Sequence, residues 1–176
     1  SNPTPGMSGV RQTRAKIVRR GGNLIVVNAA PLEVVEYEVP SGREVRTIVP
    51  RDSSLVDDPG EGYQFRLDSH PSVIFSRRHY PRVRYADLLG PDRLLIVSVF
   101  PWEDYVRRPD ELALDTPIED FERSVWDVYD LTTGERLSRT ESPRAYVVYD
   151  RTSDGGFLAS YTTHLDEAVV VKLRFQ

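Results

Sequence analysis

Apolar and polar residues alternate along this chain in short runs, and the repeat is that of strands rather than helices. Leu24-Ile25-Val26-Val27-Asn28 follows the turn residues Gly21-Gly22-Asn23 and reads as a buried strand. From Glu33 to Val39 the chain alternates, with Val35, Tyr37 and Val39 on one face and Glu36 and Glu38 on the other. Pro40-Ser41-Gly42 then turns it back into a run from Arg43 to Val49, which completes a three-strand meander. Weaker strands are expected at Tyr63–Leu67 and Val73–Phe75. Stronger ones are expected at Val83–Leu88, Leu94–Phe100, Ser124–Leu131, Arg136–Thr140, Ala145–Tyr149, Phe157–Thr162 and Ala168–Phe175. In the last of these, Val169, Val171 and Leu173 share a face, expected to be buried between sheets. The pattern predicts one short helix, at Thr116-Pro117-Ile118-Glu119-Asp120-Phe121, where Thr116 is the N-cap and Pro117 opens the first turn.

One hairpin occurs twice. Tyr37-Glu38-Val39-Pro40-Ser41-Gly42 matches Tyr129-Asp130-Leu131-Thr132-Thr133-Gly134 as aromatic, acid, aliphatic, two variable residues and glycine. Both copies sit between strand-like runs, and Gly42 and Gly134 are separated by about twice the ~40–45 residues of a propeller blade. The fold class expected is therefore all-β, with antiparallel meanders arranged as blades of a partial or small β-propeller. Residues 1–15 read as a flexible N-terminal segment, and 16–176 as a propeller-like domain of about three to four blades.

Composition narrows the function classes. A chain of 176 residues, 39% hydrophobic and 28% charged, suits one soluble domain with a real core. No apolar run reaches the ~20 residues that span a bilayer. A net charge of -4 argues against a general nucleic-acid binder. The absence of cysteine removes disulfides, thiolate chemistry and Cys-based metal sites. Only Lys16 and Lys172 of the 23 basic residues are lysines, which reads as codon bias. The chain starts at Ser1 in linker-like sequence, so a processed chain or a piece of a longer one is expected.

The second half resembles the C-terminal portion of bacterial six-bladed, NHL-like β-propeller proteins. Tyr85-Ala86-Asp87-Leu88-Leu89-Gly90-Pro91-Asp92-Arg93-Leu94-Leu95-Ile96-Val97 stands where that family has strand, turn and strand. Trp126-Asp127-Val128-Tyr129-Asp130-Leu131-Thr132-Thr133-Gly134 follows its Asp-Val-aromatic-Asp-x-x-Gly pattern, and Asp166 to Phe175 resembles its last acidic turn and strand. The resemblance implies a partial propeller in an extracytoplasmic (periplasmic or cell-surface) protein. It implies a non-enzymatic binding or scaffold module with a protein, peptide or glycan partner and no cofactor. The alternative is a metal-dependent propeller hydrolase or lactonase. If the chain is a fragment, self-association through unpaired terminal sheets is expected.

No Gly-x-Ser-x-Gly, His-Glu-x-x-His or phosphate-binding glycine loop occurs. Ser160, His164 and Asp166 read as turn polars, His70 and His79 as surface histidines, and Asp57, Asp58 and Glu61 as a solvated loop, so no catalytic or metal-binding residue is assigned. The candidate ligand-binding residues are Arg77, Arg78 and His79, from a basic stretch with interleaved aromatics, and Trp102 and Tyr105 at the root of an acidic insertion. Guanidinium forks and aromatic faces suit carboxylates and phosphates. In the competing reading Arg82 and Arg84 pair with acids of that insertion, and Trp102 pins the loop to the sheet.

Overall fold

The computed structural model describes residues 15–29, 32–51, 82–101, 122–163 and 167–174. Eleven strands in this part form three antiparallel sheets, each a simple meander. Sheet A holds β1 (Lys16–Arg20), β2 (Asn23–Ala29), β3 (Leu32–Glu38) and β4 (Glu44–Ile48). Sheet B holds β5 (Arg82–Gly90), β6 (Arg93–Pro101), β7 (Glu122–Asp130) and β8 (Arg136–Ser142). Sheet C holds β9 (Val147–Arg151), β10 (Phe157–Thr162) and β11 (Ala168–Leu173). The architecture is all-β and blade-like, as the alternation implies. The expected helix at 116–121 and the strands at 63–67 and 73–75 fall outside the described residues.

The repeated hairpin is one physical unit used twice. In the β3–β4 turn Gly42 N–H donates to Glu38 O at 2.9 Å and Glu38 N–H to Arg43 O at 2.9 Å. In the β7–β8 turn Gly134 N–H donates to Asp130 O at 2.8 Å and Asp130 N–H to Glu135 O at 2.9 Å. Both glycines have positive φ, 68° and 73°, a conformation that side chains resist. A hydroxyl completes each turn, Ser41 Oγ accepting from Arg43 N–H and Thr133 Oγ1 from Glu135 N–H, both at 3.2 Å. The aliphatic residue is also held alike, because Val39 N–H donates to Gly22 O and Leu131 N–H to Asp92 O.

The sheets stack with B in the middle. Val18, Ile25, Val27 and Val34 of sheet A meet Leu94, Ile96, Tyr129 and Leu131 of sheet B. The other face of B, with Leu95, Val97, Trp126 and Val128, meets Val148, Phe157 and Ala159 of sheet C. Both faces of β7 are thus apolar because both are covered. Val171 and Leu173 pack against the second of these clusters, as their shared face predicts.

One feature differs from the sequence reading: sheet A has four strands rather than three, since Lys16–Arg20 pairs with β2. Glu36, on the face opposite Val35 and Tyr37, is buried on the side turned to sheet B, where Arg20 Nη1 lies 3.0 Å and Arg46 Nε 2.7 Å from its carboxylate, with Asn23 Nδ2 donating at 2.8 Å. Three donors satisfy the carboxylate, which is what permits a charge there.

Candidate ligand-binding end of the stacked sheets

Direction follows from the innermost strands. β1 packs on β5, and β5 on β9. Arg20, the last residue of β1, donates through Nε to Pro91 O at 2.9 Å and pairs with Asp92, just beyond β5. Arg151, the last residue of β9, donates through Nη1 to Leu88 O near the end of β5 at 2.9 Å. All three inner strands therefore run the same way, and each is followed by a short turn. The hairpins Gly21-Gly22, 39–43, Pro91-Asp92, 131–135 and 152–156 gather at one end, the turn end.

The opposite, connection end is where the longer excursions meet the sheets. Residues 102–121 leave from the end of β6 and return at the start of β7, and residues 52–81 enter at the start of β5. At the outer edge, sheet twist carries the chain after β4 across to the next sheet, where Arg51 N–H donates to Gly134 O at 2.9 Å.

Arg77, Arg78, His79, Trp102 and Tyr105 lie outside the described residues, but their attachment points are defined. His79 precedes Arg82, the first residue of β5, and Trp102 follows Pro101, the last of β6. The register sets Arg82 opposite Val99 and Pro101 opposite Glu122. Both candidate groups are thus tethered to the connection end of sheet B. Arg82 donates through Nη2 to Glu122 Oε2 at 2.7 Å, and Glu122 is buried. In that pair the strand arginine neutralises an acid at the root of the insertion, as the competing reading expects.

An arginine and aromatic surface that the sequence reading did not single out lies at the same end. The Arg144 guanidinium stacks 4.1 Å from the centre of the Tyr161 ring. Tyr161 meets Tyr146 edge to face at 5.8 Å, and Tyr146 meets Trp126 at 6.4 Å. Trp126 and Tyr85 each pack on Phe157, at 5.8 and 6.0 Å, so rings run from the B–C core out to Arg144. Ser124 Oγ accepts from Tyr146 N–H at 2.7 Å, and Ser124 N–H donates to Arg144 O at 3.1 Å, fixing this β8–β9 connection to β7. Arg123 pairs with Glu141 and lies 5.9 Å over Phe100. The available signal was Pro143-Arg144-Ala145-Tyr146 at the gap between two sheets.

Two tyrosines on sheet B are pushed up to about 12. For Tyr129 burial is the main cause, followed by Asp127; for Tyr85 it is burial, then Asp87 and Asp150. Both are core groups, neutral over the physiological range. Ser160 is buried beneath Tyr149, whose hydroxyl lies 2.8 Å from Ser160 Oγ, while His164 and Asp166 fall outside the described residues, as do His70, Asp57, Asp58 and Glu61. Among the described residues no group of three or more His, Asp or Glu is placed to hold a metal ion, and no helix is long and apolar enough to cross a membrane.

No family model matches the chain, and no curated protein matches it. Among solved structures it is similar to Pyrococcus horikoshii acylaminoacyl peptidase in an orthorhombic crystal form, at 10% identity and a TM-score of 0.46. That similarity covers 91% of this chain and 23% of the other, so the chain spans less than a quarter of that protein's length.

Proposed function

We propose that this chain is a non-enzymatic binding module, a partial β-propeller that takes an acidic peptide or protein segment at its connection end. The carrying observation is the polarity of the molecule. Tight hairpins occupy one end, while at the other the segment 52–81 enters β5, the innermost strand of sheet B, and the segment 102–121 joins β6 to β7. Long connections on a rigid scaffold are the usual carriers of binding residues. The guanidinium of Arg144 on Tyr161 adds a surface there suited to carboxylates. An NHL-like, six-bladed parentage and an extracytoplasmic location are part of the same proposal and rest on the sequence resemblance.

Selection of a random-peptide phage library on the full chain tests it. The expected binders are enriched in Asp and Glu. Their affinity is expected to fall at least about tenfold in an Arg77→Ala/Arg78→Ala variant and in Arg144→Ala, that is by about 1.4 kcal/mol. Binders without acidic enrichment, or indifferent to all three arginines, would remove the proposal.

A further inference from the structure

Arginines at the connection end differ in what holds them. Arg82 donates to the buried carboxylate of Glu122, and Arg123 pairs with Glu141, so both guanidiniums are already matched to an acid of the chain. Arg144 is held by a ring instead. Its guanidinium carbon lies 4.1 Å from the centre of the Tyr161 ring, and among the described residues no carboxylate or carbonyl accepts from its side chain. The residue is exposed, and its in-plane N–H donors are its unused hydrogen-bonding capacity.

The surroundings fix this side chain before any ligand arrives. Arg144 O accepts from Ser124 N–H at 3.1 Å, and two residues on Tyr146 N–H donates to Ser124 Oγ at 2.7 Å. Ser124 is fully buried in β7. Tyr161 is braced edge to face by Tyr146, and Tyr146 by the buried Trp126. A side chain already ordered in this way lowers the entropy lost on binding. A guanidinium with one flat face against a ring offers its donors edge-on, in the plane that a carboxylate matches with two parallel hydrogen bonds.

We infer that Arg144 is the specificity-determining residue of the connection end. It reads one Asp or Glu carboxylate of the bound peptide through a bidentate pair, and Tyr161 is the residue that positions it. The inference rests on the acidic-peptide reading and adds which residue selects the acid. Arg82 and Arg123 serve the fold: burial of Glu122 requires a counter-charge, and Arg123 spans Glu141 and the Phe100 ring. Charge alone does not make the selection, because a lysine at position 144 keeps the charge and loses the planar fork.

The test is a double-mutant cycle on the full chain. A peptide selected on the wild type is made with each Asp or Glu changed in turn to Asn or Gln. Each peptide is titrated by fluorescence anisotropy against wild type, Arg144→Lys, Tyr161→Phe and Tyr161→Leu, all checked for native far-UV circular dichroism. Arg144→Lys is expected to weaken the parent peptide by about tenfold or more, and to leave unchanged the one peptide that lacks the acid read by Arg144. Tyr161→Phe keeps the ring and is expected within about twofold of wild type, whereas Tyr161→Leu loses about fivefold. An Arg144→Lys chain that binds as wild type does, or coupling spread evenly over every acid, would overturn the inference while leaving the acidic-peptide reading in place. Full affinity in Tyr161→Leu would remove the positioning role. Wild-type selection of peptides without acids would remove the reading and the inference together.

Discussion

Trp126 and Tyr129 stand three residues apart on β7 and are buried on opposite faces of one sheet, at 3% and 2% exposure. Trp126 packs toward sheet C and Tyr129 toward sheet A. Truncation of either empties a different inter-sheet core, and each of Trp126→Ala and Tyr129→Ala is expected to cost about 3–5 kcal/mol in denaturant unfolding. Losses under about 1 kcal/mol at both sites would mean that β7 is not the central layer.

The twin glycine turns differ in surroundings, and alanine reads out the difference. At Gly42 an added Cβ meets nothing within 4 Å, so Gly42→Ala carries only the left-handed backbone cost of about 1–2 kcal/mol. At Gly134 the same Cβ falls 3.1 Å from Ile48 Cγ2 and 3.2 Å from Val49 O, in the contact that joins sheets A and B. Gly134→Ala is expected to lose at least about 1 kcal/mol more. Equal losses in parallel urea titrations would contradict the A–B contact at that turn.

Acid stability is set partly by Glu36. Burial pushes its carboxyl up, but the Asn23 amide and the Arg46 and Arg20 guanidiniums outweigh that and hold it below its ordinary value of 4.5. A depressed carboxyl stabilises the fold above the unfolded value and loses that contribution as pH falls through the folded one. Unfolding free energy is expected to decline below about pH 4.5. In Glu36→Gln the decline is shallower but persists, because Asp130 and Asp154 are also held low, by backbone N–H groups of Thr132 and Thr133 and by Lys172 with Thr152 and Arg174. An unchanged slope would show that Glu36 is not charged in the folded state.

At alkaline pH the signs reverse. Tyr129 and Tyr85 ionise in the unfolded chain near 10 and in the fold only at about 12. The stabilisation is complete below pH 10 and is lost as pH rises toward 12. Absorbance titration at 295 nm is expected to show a late-ionising fraction that shrinks in Tyr129→Phe. Ionisation of every tyrosine near pH 10 with the fold intact would contradict the burial.

Much of the fold is legible in the sequence because strand alternation and turn chemistry are local. The aromatic-acid-aliphatic-x-x-Gly signature marks two turns whose hydrogen bonds are the same in kind and position. What escaped is set by other parts of the chain. Lys16–Arg20 has no clean alternation and becomes a strand through pairing with β2. The burial of Glu36 depends on three partners, from β1, β2 and β4, that lie outside its own strand. Val170 and Val171 are the same residue type, and only the register of β11 on β10 decides which of them meets sheet B. At the site, the arginine-rich stretch before β5 was visible as composition, whereas Arg144 on Tyr161 required the β8–β9 connection to be brought onto β10.

The central claim is that binding belongs to the connection end. Its most direct test is hydrogen–deuterium exchange of the full chain with and without a peptide selected on it. Slowed exchange is expected at Arg82–Arg84, Val99–Phe100, Glu122–Ser124 and Arg144–Tyr146, with no change at the turns around Gly42, Asp92 and Gly134. Protection confined to those turns would contradict the account.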